Sequence, residues 1–491
     1  MGLDYDFNQK NSIQFVADGF ISPYKERGDY LLEFNANSLD SIIKTNSEFE
    51  QRTSNMSAGF NYRHKFNNSG KEISVNLDYL DFNENSHQNL ESSTFTPAEA
   101  NSISTYGLTS DNPFRAKVHS VKSDFEGKIF GNIKFSSGLQ SIYSARKSSR
   151  SYSNPRNHAG NVSVNKSNFS EYINSVYTSL SKEFKALSVQ AGLRYESNQT
   201  AMQQFNTGIT PSPLIKLNHN NLVPSFYLSY KLDSLSANQF IFSWNSRINR
   251  PSYSSLNPSA FFFDKYTVLR GNAMLQPERS RNFQLAFHHQ SKLTMALVYT
   301  RSNNIIINTY QQEGKTLVSS QANVETYSNA GFNVNSILKV FPFWTANLYG
   351  ELSNFSFRDK LVKGYLDIVT YRVTGNNQFK FQRGWSGEVS GSYRSKTTFG
   401  QGIFQPIWKI NASIQKKLLK DKGFFTLSGS DLFHSWVSKR NIELGEAQIS
   451  VVNRNDTRQV SLSFTYKFGS ENKIRQHKGG LETEKLRTGA P

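Results

Sequence analysis

The chain has 491 residues, a formal net charge of +18, 37% hydrophobic residues, 13% aromatics and no cysteine. The missing cysteine excludes disulfide frameworks, thiolate-held zinc or iron–sulfur sites and thiol nucleophiles, and no apolar run is long enough for a transmembrane helix. Abundant aromatics with few aliphatics and much Ser and Asn suit half-buried β surface rather than an α/β core.

The basic excess points to polyanionic partners: nucleic acid, lipopolysaccharide or an anionic solute. The basic residues are spread along strands, as in "FNYRHKF" and "SGSYRSK", so nucleic acid is not an expected partner. The acidic start "MGLDYDFNQK" does not read as a signal peptide. An exported protein beginning this way is expected to be a fragment.

Along the chain the main signal is alternation with period two. A strand stub at Leu3–Phe7 comes first, then "DYLLEFN" and "DSIIKTN", which read as a β-structured outer loop. In "KEISVNLDY" the apolar positions are Ile73, Val75, Leu77 and Tyr79. "LSVQAGLRY" gives Leu187, Val189, Ala191, Leu193 and Tyr195; "PSFYLSYKL" gives Phe226, Leu228, Tyr230 and Leu232; "VSLSFTYKF" gives Val460, Leu462, Phe464, Tyr466 and Phe468.

Short turns are expected at 66–71, 128–132, 183–187, 233–238, 288–292, 340–343, 382–385 and 418–423. Longer stretches lie around 86–112, 153–167, 198–219, 249–275, 308–322, 356–362, 399–405 and 438–446. Short and long connections alternate to the end. That sorting belongs to an up-and-down barrel in a bacterial outer membrane, with tight periplasmic turns and long outer loops. A soluble sandwich has no reason to sort its loops by parity.

The expected fold is all-β, a transmembrane antiparallel β-barrel over 1–468, followed by a polar periplasmic C-terminal tail at 469–491. About nineteen strands are expected, within about 18–20. Hydrocarbon leaves no partner for an open sheet edge, so a spanning sheet must close. Bacterial single-chain barrels have even strand numbers and transporters of 22 strands exist. The expectation is therefore a barrel of about 22 strands, truncated at its N-terminus by about three.

Six stretches then carry a resemblance: "AGLRYE" (191–196), "VPSFYLSYKL" (223–232), "INRPSYSSLNP" (248–258), "GNAMLQPERS" (271–280), "IQKKLLKDKGFFTLSGSDLF" (414–433) and "SLSFTYKFG" (461–469). In this order they resemble the outer-membrane β-barrel family of TonB-dependent receptors common in Bacteroidota. Ala273 stands where that family usually has the first proline of Gly-Asn-Pro-x-Leu-x-Pro-Glu. The resemblance implies a barrel portion of a receptor and transporter for solute uptake, embedded in outer-membrane lipid and lipopolysaccharide. It also implies a plug domain, expected to be absent here, through which the parent protein would engage the TonB system. The alternative is a non-transporting surface structural or adhesion barrel. An enzyme, a cofactor and a metal site are not expected.

The stretch 250–280 reads as an outer loop stiffened by Pro251, Pro258, Pro277 and the Gly271–Asn272 turn. Lipid does not explain its aromatics Phe261, Phe262, Phe263 and Tyr266. They are candidate ligand-binding residues that would stack on a solute, or they fold the loop onto itself. His288 and His289 are adjacent; on a strand neighbours point to opposite faces and do not chelate together unless they lie in the turn, and they read as a periplasmic-turn pair. Asp78, Asp81, Glu196 and Glu388 are expected to face the lumen and pair with Arg or Lys on neighbouring strands. Phe226, Tyr230, Phe240, Phe242 and Trp244 are candidates for interfacial girdles or lipid contact.

Overall fold

A computed structural model describes residues 2–36, 38–66, 70–97, 101–130, 132–153, 163–206, 213–233, 237–257, 260–314, 316–359, 364–444, 447–468, 481, 484, 485 and 487. Pro258 and most of the tail lie outside them.

The wall is one antiparallel ladder in chain order. It begins Gly2–Asp6, Asn11–Ala36, Ser38–Lys65, Glu72–Phe95, Ser104–Ile129, Ile133–Ser153, Ser163–Glu183, Leu187–Asn206, Ile215–Lys231 and Asn238–Asn249. It continues Glu278–His289, Leu293–Glu313, Thr316–Phe341, Trp344–Asp359, Gly364–Lys380, Trp385–Arg394, Ile407–Leu418, Gly423–Ser430 and Gln459–Tyr466. These are the nineteen strands that the alternation and the turns predict. Among the described residues no pairing joins the first strand to the last.

Many strands far exceed the roughly ten residues a bilayer needs. Asn11–Ala36 and Ser38–Lys65 run 26 and 28 residues and stay paired to their tip, so "DYLLEFN" and "DSIIKTN" are the upper ends of wall strands. Expected loops shrink for the same reason. Residues 308–322 belong to two wall strands separated only by 314–315. Above the hydrocarbon both strand faces meet polar surroundings. The apolar alternation stops there, but the backbone ladder has no reason to.

The C-terminal part departs from the expectation of one long connection around 438–446 leading into the wall. Ala447–Arg454 instead joins Val437–Leu444, Gly402–Phe404 and Thr397–Phe399 in a separate four-stranded sheet. The wall resumes only at Gln459. The buried Asp431 carboxylate ties the base of this insertion, accepting from the Ser435 N–H at 3.0 Å and the Thr457 hydroxyl at 2.5 Å.

The outward face is banded. Leu77, Val121, Leu139, Val176 and Leu193 are exposed apolar residues. Bordering them, Tyr79, His119, Tyr143 and Tyr172 are successive register partners, with ring centroids 5.0, 6.3 and 4.6 Å apart. At the short-turn end Phe341, Phe343, Trp344, Phe379 and Phe381 make a second aromatic run. Two aromatic girdles around an apolar band are the arrangement a bilayer selects.

Phe226, Phe242, Phe240 and Trp244 lie across this band as ring pairs with each other or with Phe287 and Phe283. Asp81 corrects the expectation of a lumenal carboxylate. It shares the parity of Leu77 and Tyr79, lies just beyond the girdle, and takes the Arg115 guanidinium at 2.7 Å on the outer surface.

Candidate functional site

The opposite parity lines the lumen. Three successive rungs are closed off from water: Asp78–Ser120–Ile142–Ile173–Asn198, Leu80–Val118–Ser144–Glu171 and Phe82–Ala116–Arg146–Phe169–Met202. Glu171 takes Arg146 Nη2 at 3.2 Å and Asn198 Nδ2 at 2.9 Å. Arg146 also donates to Ser144 Oγ at 2.9 Å and stacks over the Tyr253 and Phe169 rings. Its Nε and Nη1 are buried without a hydrogen-bond partner.

The third of these rungs is covered by the long loop between Asn238–Asn249 and Glu278–His289. It starts with an ion pair from Arg250 to Glu196, which Arg194 also reaches at 3.2 Å. Ser252 Oγ then accepts from the Ser255 N–H at 3.1 Å and caps the short helix Tyr253–Leu256. Tyr253 and Leu256 are buried, and burial pushes the Tyr253 phenol pKa up.

The motif at 271–278 closes the loop onto the wall. A Cβ on Gly271 would stand 2.2 Å from the Asn257 carbonyl oxygen, so only glycine permits this approach. Asn272 Oδ1 accepts from the Met274 N–H at 2.9 Å, and its amide donates to the Gln321 carbonyl at 3.0 Å. Leu275 is buried in a cluster with Phe169, Met202 and Leu256.

The four expected ligand-binding aromatics sit on a hairpin within this loop, Ala260–Asp264 paired with Thr267–Arg270. Each contacts a ring, mostly on the facing wall strands. Phe261 meets Phe49 at 6.2 Å, Phe262 meets Tyr152 at 5.6 Å, Phe263 meets Tyr30 at 6.4 Å and Tyr266 meets Phe34 at 5.6 Å. Gln88 Nε2 donates to the Phe262 carbonyl at 3.0 Å. On the other side, Thr267–Leu269 pairs in parallel with Leu317–Ser319. The loop thus bridges separate stretches of wall.

The structure does not bring the other sequence candidates to this place. His288 and His289 bond Thr294 at 2.9 Å and Asn238 at 2.5 Å respectively. Glu388 faces the lumen but takes Asn376 at 2.9 Å rather than a cation. Among the described residues no three His, Asp or Glu side chains gather as a metal set.

Between the loop helix and the wall remains a cavity of ≈ 310 Å³, lined by Glu84, Phe114, Arg146, Arg150, Phe169 and Tyr253 among others. Sequence reasoning missed Arg146, Glu171 and Tyr253. Arg146 and Glu171 stand on stretches with little apolar alternation, and Tyr253 lies on a loop.

A polar lumen, an apolar outer band between aromatic girdles and a loop folded across the wall define a large outer-membrane barrel. The chain belongs to the Outer membrane protein beta-barrel family, whose model matches residues 64–466. No curated protein matches the sequence.

Among solved structures it is similar to the ferric yersiniabactin uptake receptor FyuA from Yersinia pestis, at 12% identity and a TM-score of 0.57, covering 95% of this chain and 77% of that one. The siderophore receptor PiuA from Acinetobacter baumannii gives 11% identity and a TM-score of 0.55, with coverage of 95% and 79%. The ferric-catecholate import receptor Fiu from E. coli K12 gives 9% and 0.53, with coverage of 95% and 79%. The fold is that of these receptor barrels, and the protein resides in the bacterial outer membrane.

Proposed function

We propose that this chain is the barrel of an outer-membrane receptor that imports a solute with energy supplied through TonB. The observation that carries the reading is the cavity under the long loop, where Arg146 offers two buried nitrogens without hydrogen-bond partners, Nε and Nη1, beside the Tyr253 and Phe169 rings. A buried donor left unpaired is costly, and an acceptor-rich planar solute would satisfy it. Phe261, Phe262, Phe263 and Tyr266 then serve to seat the loop, and their outer edges remain available to the arriving solute. The structural neighbours are named as receptors for siderophores and ferric chelates, which makes iron chelates the first class to try.

The test is binding of a panel of radiolabelled ferric siderophores to cells displaying the chain, with and without Arg146→Gln. Heat-modifiable gel mobility reports folding in each case. The reading expects at least one ligand to bind and Arg146→Gln to weaken it about tenfold or more. Equal binding by a folded Arg146→Gln protein would overturn the role given to this cavity.

A further inference from the structure

The four described residues of the tail are not an extension in solvent. Leu481, Glu484 and Arg487 are 3%, 1% and 7% exposed, and the Lys485 N–H donates to the Leu481 carbonyl at 2.9 Å, closing one helical turn. We infer that this C-terminal segment is the resident occupant of the lumenal recess and latches the long loop to the wall.

The fit is chemical as well as steric. Leu481 completes an apolar cluster with Leu80, Val118, Ile142 and Ile173, a strip that would otherwise face an aqueous lumen. Each described charge on the segment meets an opposite charge. Lys485 reaches Asp18 at 3.4 Å, Glu484 lies 4.0 Å from Arg146, and Arg487 Nη1 bonds Glu171 at 2.6 Å.

Along the chain Glu484, Lys485 and Arg487 read acid, base, base, and the wall answers with Arg146, Asp18 and Glu171, base, acid, acid. A buried charge is tolerated only when it is paired and hydrogen-bonded, so the buried Glu484 and Arg487 must meet their partners on the wall, while the Lys485–Asp18 pair lies at the exposed edge. Around Arg487, Glu171, Arg250 and Leu256 the residual space is ≈ 20 Å³, room for about one water. Burial works against the Arg487 charge, but Tyr253, Glu171 and Glu484 outweigh it and raise its pKa.

The segment also grips the loop. Tyr253 Oη donates to Glu484, the Arg487 guanidinium lies 4.5 Å from the Tyr253 ring centre, and Arg487 Nε donates to the Pro251 carbonyl at 3.4 Å. Release of the segment should therefore loosen the loop and open the recess together.

The chain has no native cysteine, so single thiols report cleanly. In the full folded chain, Leu481→Cys should react slowly with a water-soluble maleimide. Adding Arg487→Glu, which sets a second carboxylate against Glu171, should speed that reaction at least about tenfold. It should also speed labelling of Leu275→Cys, buried where the loop meets the wall.

In the chain with Arg487 intact, Leu481→Cys combined in turn with Leu80→Cys, Val118→Cys and Ile173→Cys should form a disulfide in at least one pair on oxidation. Equal labelling of Leu481→Cys in both backgrounds, or no disulfide in any pair of a heat-modifiable barrel, would overturn the latch. A faster Leu481→Cys with an unchanged Leu275→Cys would overturn the coupling to the loop.

Discussion

The first half of the wall and its last quarter solve the same backbone problem in different ways. From Asn11 to Lys231 the strands run 17 to 28 residues, and their own ladders form the structure outside the bilayer. From Trp385 to Tyr466 the wall strands are 8 to 12 residues long, and the outer structure is a separate four-stranded sheet. In both regions the N–H and C=O groups stay paired. The difference lies inward: the long-strand region carries buried ions and apolar rungs on its lumenal face, while the short-strand region carries amides and half-exposed residues.

The largest effect expected from this contrast is on buried charge. Glu171→Ala leaves Arg146 and Arg487 without their shared carboxylate and should destabilise by about 3–5 kcal/mol. Glu388→Ala in the short-strand region removes one hydrogen bond from Asn376 and should cost about 1 kcal/mol. Denaturant titrations of the barrel refolded in bilayers measure both. Equal costs would erase the distinction between the two lumenal faces.

Outwardly the two regions should behave alike. Leu193→Arg and Leu427→Arg each place a cation in the apolar band and should cost about 2–4 kcal/mol near its middle. Gln190→Arg, on the lumenal parity, should cost under about 1 kcal/mol. A cheap Leu427→Arg would mean that the short strands do not meet lipid.

The outer sheet should respond locally. Ile442 is 1% exposed, and Ile442→Val should cost about 0.5–1.5 kcal/mol. Hydrogen exchange should then quicken over 437–454 and stay unchanged in the wall. The smallest effect belongs to the outer-surface pair Asp81–Arg115, whose guanidinium side chain is 53% exposed. Its double-mutant coupling should be about 0–1 kcal/mol and shrink with salt.

Much of this contrast was legible in the sequence, and the reason for the remainder is physical. Period-two apolar runs and short turns identify wall strands wherever one face meets lipid, so "KEISVNLDY" and "LSVQAGLRY" fall where they were expected. Above the girdle that signal vanishes. In "NENSHQNLESSTF" both faces are polar, yet Glu72–Phe95 pairs to its end. Asp81 faces outward against expectation because only the tyrosine girdle marks where outward residues turn polar. The Gly271–Asn272 signal was readable as a turn, but its role needs the Asn257 carbonyl from across the loop. The ionic recess was not readable at all, since Glu171 and Arg487 stand 316 residues apart.

The central claim is that alternate residues of one strand meet lipid and lumen. Leu139 is 61% exposed on the outward parity, and its neighbour Gln140 accepts from Arg194 Nη2 at 3.2 Å on the inner one. A fluorophore on Leu139→Cys and one on Gln140→Cys, each in the chain refolded into bilayers, can be challenged with spin-labelled lipid and with aqueous iodide. Strong lipid quenching at 139 with iodide quenching at 140 is the predicted result. Equal lipid quenching at the two positions would contradict the account.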